Sequence, residues 1–185
     1  MKPALVVIDL QEWFRDDHPG SFWEPLLTNT ARALKEVRQR EVPVVHVVTR
    51  YRRDRSDWPA AWQHLEEMWC LEGTPGVEIM APVRPIEDEP VVVKTRFSGF
   101  FETDLERTLS ALDVDTLLLA GYSSDVCVRM TAMDAYNRGY CLYLLRDCVH
   151  GDREETASSI EYLRWLTNTH IVSLEEVVDV VGGRL

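Results

Sequence analysis

No apolar run in these 185 residues approaches the roughly 20 that a membrane-spanning helix needs. The amino terminus does not read as a signal peptide either, because its short apolar stretch is broken at Asp9. Positive charge is in short supply. Twenty Lys and Arg stand against 31 Asp and Glu, a net charge of −11, which argues against nucleic acid or an anionic membrane as the main partner. Cysteine is sparse too: Cys70, Cys127, Cys141 and Cys148 form no Cys-x-x-Cys pair, so free thiols in a cytoplasmic setting are expected. The five histidines, His18, His46, His64, His150 and His170, show no ligand spacing, and no metal is expected. Asp54, Asp57 and His64 could meet only on an irregular segment, where solvated side chains are the simpler reading. There is no repeat, linker or low-complexity tract.

What remains is an ordinary globular composition, 45% hydrophobic and 28% charged, suited to one domain over residues 1–185. Short β-branched runs alternate with helical patterns, the mark of βαβ units. Strands are expected at about 4–9, 43–48, 90–94, 115–120, 140–145 and 169–172. Helices are expected at 24–40, 103–112, 125–138 and 153–167, with a short one at the carboxyl end. Thr103 reads as an N-cap with Glu106 as its capping-box partner, and Gly139 as a helix stop. Near-continuous apolar strands imply a sheet covered on both faces. The fold class is therefore α/β: a three-layer α/β/α sandwich around a mostly parallel, Rossmann-like sheet of about six strands. Residues 50–89 form an insertion at the strand edge, expected to shape a pocket and to hold one helix begun near Ser56, Asp57 and Pro59.

Three residues carry the chemistry. Asp9 closes Ala4-Leu5-Val6-Val7-Ile8, Lys94 follows Val91-Val92-Val93, and Cys127 comes just after Thr116 to Gly121. In an open parallel sheet the carboxyl ends of the strands share one edge, where ligands bind. An acid, an ammonium and a thiol distant in sequence are so brought to one crevice. Each has a plain alternative: a turn cap for Asp9, a solvated lysine for Lys94, a small buried residue for Cys127. Together they answer one another, since a desolvated carboxylate needs a cation and a thiol needs a base. Ser123-Ser124-Asp125 would cap the next helix and put Cys127 in its first turn, where the dipole favours a thiolate. Cys141 reads as core.

The chain resembles the isochorismatase-like cysteine hydrolases, the group of nicotinamidases, N-carbamoylsarcosine amidases and ureidoacrylate amidohydrolases. The matching stretches are Val7-Ile8-Asp9-Leu10-Gln11, Lys94-Thr95-Arg96-Phe97-Ser98-Gly99-Phe100 and Gly121-Tyr122-Ser123-Ser124-Asp125-Val126-Cys127-Val128. Thr131-Ala132 and Asp134-Ala135 follow them. The resemblance implies a triad of Asp9 as base, Lys94 as electrostatic partner and Cys127 as nucleophile, acting through a thioester. It implies a cis peptide at Tyr122–Ser123 and an oxyanion hole from the backbone N–H groups of Ser123 and Cys127. It implies a dimer or tetramer, no cofactor, and a small amide or ureido compound as substrate. Nicotinamidases carry an Asp-x-His metal pair after the second strand, where this chain has Thr49-Arg50-Tyr51-Arg52-Arg53. Isochorismatases proper generally lack the cysteine, so its presence favours amide over vinyl-ether hydrolysis. A non-catalytic binding protein on the same scaffold is the alternative of another class.

Further candidates surround the triad. Phe14 and Phe97 are expected as pocket walls or core, and Gln11 as a substrate contact. Arg153 resembles an arginine that meets a substrate carboxylate in N-carbamoylsarcosine amidases, with Asp152 beside it as a helix cap. Arg50, Arg52, Arg53 and Arg55 read as an anion-binding patch or, more simply, as interface or solvated charges. Trp58, Trp62, Leu65 and Trp69, at helical spacing, read as core or subunit interface rather than a substrate cage.

Overall fold

The computed structural model describes residues 1–151 and 156–184. Strands and helices follow along the chain as β1 (Pro3–Ile8), α1 (Gly20–Arg38), β2 (Val44–Thr49), β3 (Val91–Lys94), α2 (Leu105–Ala111), β4 (Thr116–Tyr122), α3 (Cys127–Asn137), β5 (Cys141–His150), α4 (Thr156–Thr167), β6 (His170–Val172) and α5 (Val177–Val181). The strands form one sheet in the order β3-β2-β1-β4-β5-β6, and every pairing is parallel.

The central strands β1, β2 and β4 are apolar on both faces because both are covered, while the edge strand β3 leaves Val91 and Val93 exposed. Leu5 and Val7 of β1, with Leu118 and Ala120 of β4, pack under α1 and α5 through Leu34, Val37, Val177 and Val180. The alternate residues Ala4, Val6, Ile8, Leu117 and Leu119 meet Leu105, Leu109, Val128, Ala132 and Leu163 of α2, α3 and α4. The period of two in each strand thus splits one run of side chains into two cores. The sheet order reverses direction between β1 and β4, which opens a crevice at their carboxyl ends. Gly121 lets the two strands close there: a Cβ on it would stand 2.1 Å from Ile8 O, at a φ of +131°.

Local expectations are corrected at several points. α1 starts at Gly20, ahead of Pro25, so the helix accommodates that proline internally instead of starting beside it. The capping box of α2 does not form. Thr103 Oγ1 accepts from Leu105 N at 3.2 Å, but Glu106 turns outward to Arg138 Nε at 2.9 Å. Gly139 ends α3 as expected, with a φ of +86°. Cys141 opens β5 and is exposed, not core. Between β2 and β3 there is no α-helix among the described residues, only short helical turns at Ala60–Trp62, Pro75–Val77 and Ala81–Val83. Side chains occupy carbonyls that a helix would need: Gln63 Nε2 donates to Arg55 O and Trp58 O, both at 3.1 Å. No helix among the described residues is long and apolar enough to cross a membrane.

A partly buried polar clip secures the edge of the sheet. Arg38 of α1 grips Glu89 through Nε and Nη2, both at 2.8 Å, and Glu89 Oε2 lies 3.1 Å from His46 Nε2. Burial lowers the pKa of His46 below its ordinary 6.5, outweighing the hydrogen bond and charge of Glu89 that raise it. The unfolded chain therefore takes up this proton first, and the stability it contributes above pH 6.5 is lost as pH falls toward the lowered value. Thermal unfolding should show a melting temperature that drops between pH 7.5 and 5.5, and a shallower drop in His46→Gln. Equal slopes in the two proteins would assign the acid sensitivity elsewhere.

Candidate active site

Asp9, Lys94 and Cys127 converge on the crevice. Asp9 leaves β1 with a φ of +52°, a left-handed turn that aims its carboxylate across the strand ends. Lys94 ends β3, and Cys127 is the first residue of α3. Lys94 Nζ lies 2.8 Å from Asp9 Oδ2, with both side chains essentially inaccessible to solvent. The same ammonium donates to Thr49 Oγ1 at 2.8 Å, Arg96 O at 3.1 Å and Cys127 Sγ at 3.4 Å. Thr49 Oγ1 in turn donates to Asp9 Oδ1 at 2.9 Å. The Thr49 hydroxyl thus bridges the acid and the ammonium, a role its position inside an apolar strand did not advertise.

Burial opposes the Lys94 charge, but Asp9 and Cys127 outweigh it, and its pKa stands above the ordinary lysine value. Cys127 moves the other way from the expected thiolate. Burial pushes its thiol up to about 12, the charge of Asp9 adds to the rise, and Lys94 only partly offsets both. The expected helix caps are absent as well: Val126 is the N-cap of α3, and no side chain bonds to the end. The Ser123 hydroxyl instead bonds to Asp125. Burial and the neighbouring Asp9 charge thus favour the protonated thiol over the thiolate in the resting site.

The Tyr122–Ser123 peptide is cis. Ser123 O accepts from the N–H groups of Val126 and Val128, each at 3.1 Å. No backbone acceptor answers the Ser123 or Cys127 N–H group among the described residues, and both residues line the crevice.

A cavity of about 280 Å³ opens over these groups, walled by Phe14, Tyr51, Trp62, Trp69, Phe97 and Tyr122, with Arg96 and Val126 at its sides. Phe14 and Phe97 lie on its wall. Trp62 and Trp69 correct the stripe reading: with no helix to align them, they meet edge to face at 4.5 Å on the cavity wall. Trp58 is buried beneath, its Nε1 donating to Arg52 O at 2.9 Å. Gln11 is corrected too. It is fully buried and outside the cavity, its Nε2 donating to Thr49 O at 2.9 Å and Val77 O at 3.0 Å while Oε1 accepts from Thr49 N at 2.8 Å. It braces β1, β2 and the insertion. The arginine patch braces the insertion as well: Arg53 Nε donates to Glu72 O at 2.9 Å and Arg55 Nη2 to Glu66 O at 3.1 Å, and none of the four lines the cavity. Asp152 and Arg153 lie outside the described residues.

Sequence reasoning passed over Arg96, Tyr51 and Thr49. Arg96 had a signal, since it stands two residues beyond Lys94 in the Lys94–Phe100 stretch that carries the family resemblance. Tyr51 has its phenol pKa raised by burial and donates to Thr95 O at 3.1 Å. Where a metal pair would stand after β2, Tyr51 is therefore spent on a backbone carbonyl and Arg53 on Glu72, and these residues do not suit a cation. Among the described residues no group of three His, Cys, Asp or Glu is placed to hold one.

The isochorismatase domain model matches residues 3–176. Maleamate amidohydrolase of Pseudomonas putida is 34% identical over 161 residues, covering 82% of this chain and 73% of that one. The crystal structure of an isochorismatase family protein from Desulfovibrio vulgaris superposes with a TM-score of 0.86 at 33% identity, covering 98% of each chain. That of N-carbamoylsarcosine amidase from Thermoplasma acidophilum gives a TM-score of 0.83 at 28% identity, covering 95% of this chain and 98% of the other.

Proposed function

The chain belongs to the isochorismatase family of hydrolases, and on that premise we propose that it is a cysteine amidohydrolase cleaving a C–N bond of a small carboxamide, carbamoyl or ureido compound. The observation that carries the proposal is the buried Asp9–Lys94 pair set against the Cys127 thiol at the floor of an aromatic cavity.

The steps follow from the charges. The substrate carbonyl enters above Cys127, its oxygen toward the N–H groups of Ser123 and Cys127. As Sγ attacks, the thiol proton passes to Asp9, and the high thiol pKa makes this transfer part of the step rather than a prior equilibrium. Negative charge moves onto the carbonyl oxygen, where the two N–H donors stabilise it. Collapse of the tetrahedral adduct breaks the C–N bond, the proton from Asp9 leaves with the amine, and a thioester remains. Asp9 then takes a proton from water as it attacks the thioester, releasing the acid and restoring the thiol. Lys94 stays protonated throughout and offsets the negative charge, whether it resides on Asp9 or on sulfur.

Ammonia or amine release from a panel of N-carbamoyl amino acids, ureido acids, biuret and aromatic amides tests the reading, with Cys127→Ser as the blank. Cysteine-dependent release from a member is the expected result. A vinyl-ether substrate hydrolysed without nitrogen release would overturn it. So would silence across the panel with Cys127 no more reactive than the other thiols.

A further inference from the structure

We infer that Arg96 is a specificity-determining residue, and that the cavity takes a substrate bearing a carboxylate, held on the Nε–Nη2 edge of its guanidinium. The inference borrows the scissile C–N bond from the function proposed above, but the anion site stands on its own observations.

The first is an unbalanced charge. Of the groups lining the cavity, Asp9 and Lys94 cancel as an ion pair, and the Cys127 thiol is neutral at rest. Arg96 adds one positive charge with no carboxylate within ion-pair distance among the described residues, although the protein as a whole carries −11. Other arginines do find acids: Arg38 pairs with Glu89, Arg138 with Glu106 and Arg184 with Asp179.

The second is a guanidinium half used. Its Nη1 is fixed on neutral oxygens, at 2.9 Å from Asp57 O, 2.7 Å from Thr95 O and 3.3 Å from Thr95 Oγ1. Nε and Nη2 bond to no protein acceptor among the described residues, and neither is sealed from solvent. Those two nitrogens form the side of the fork that matches a carboxylate in bidentate fashion. Anchoring Nη1 holds the fork still before anything binds, so little side-chain freedom is lost on binding.

The third is distance from the chemistry. Arg96 O accepts from the Lys94 ammonium at 3.1 Å, so the residue is tied to the catalytic group itself. A cavity of about 280 Å³ then admits only a short molecule, with its carboxylate at Arg96 and its amide carbonyl at Cys127. The rings of Phe14, Trp62 and Phe97 thin the water around the pair, which strengthens it.

Alkylation reads this site without requiring turnover. Iodoacetate and iodoacetamide are near-isosteric and differ by the carboxylate, and mass spectrometry can follow Cys127 beside exposed Cys141 in the same intact chain. The iodoacetate-to-iodoacetamide rate ratio at Cys127 should exceed that at Cys141 by about 10-fold or more, the scale of one charge-assisted bidentate contact. Arg96→Met should bring the two ratios together, and an unchanged ratio in this variant would overturn the site. Because Arg96 also anchors the insertion through Asp57 O, the wild-type protein supplies a second reading that needs no variant. Propionate should protect Cys127 from iodoacetamide where propionamide does not, and equal protection by the two would overturn the site. In the hydrolysis panel, activity confined to neutral amides would remove the anion site and leave the amidohydrolase reading standing.

Discussion

Asp9→Asn should abolish turnover and yet make Cys127 react faster with iodoacetamide at neutral pH. The two effects part because Asp9 does two opposite things to the thiol. It accepts the proton during attack, and a positioned base of this kind contributes about 10²- to 10⁴-fold to rate. At rest its negative charge, together with burial, holds the thiol up at about 12. An asparagine removes that charge but leaves Lys94 Nζ 3.4 Å from Sγ, now free to stabilise a thiolate. Each unit by which the thiol pKa falls raises the thiolate fraction roughly 10-fold while it remains small. Asparagine also suits the left-handed φ of +52° at this position, so the backbone is not strained by the change. Cys127→Ala, with neither turnover nor label at this position, sets the baseline for both measurements. An Asp9→Asn protein that labels more slowly than wild type would show that Asp9 maintains a resting thiolate, which reverses the order of steps proposed here.

The thiol also marks where local reasoning from sequence ends. Cys127 at the start of a helix was legible from Gly121 and the polar run after it, and a helix terminus by itself lowers a thiol pKa. The terms that win come from elsewhere: burial under the cavity walls, and a carboxylate delivered from β1 more than a hundred residues away in sequence. Asp9 and Lys94 were placed correctly because apolar β-branched runs announce parallel strands, and parallel strands align their ends. The insertion had no such period. Trp58, Trp62 and Trp69 imitate one, but Gln63, Arg53 and Arg55 tie their side chains to backbone carbonyls and hold the segment in turns. Gln11 misled for a related reason. A polar residue two positions after a candidate base invites a substrate role, whereas this amide answers backbone groups on Thr49 and Val77. Side chains that satisfy backbone are invisible to periodicity, and here they brace the insertion behind the cavity wall.

Lys94→Met should cost more stability than any other single change in the site, and removal of Asp9 as well should return most of it. Lys94 and Asp9 are both excluded from solvent and stand 2.8 Å apart. Loss of the cation leaves a buried carboxylate with one hydroxyl donor, from Thr49. Breaking one side of a buried pair typically costs about 3–5 kcal/mol, a large share of the roughly 5–15 kcal/mol that holds a domain folded. At about 2–4 °C per kcal/mol for a chain of this size, the melting temperature should fall by roughly 6–20 °C. The Asp9→Asn/Lys94→Met double variant buries no charge at these positions and should recover most of that loss while remaining inactive. Differential scanning calorimetry of the three proteins decides the matter. If the double variant melts with the Lys94→Met protein, the lysine stabilises through its four-carbon stem and its bonds to Thr49 and Arg96. Recovery would instead show that the pair is kept for its charges, which contribute to catalysis what they do not add to the fold.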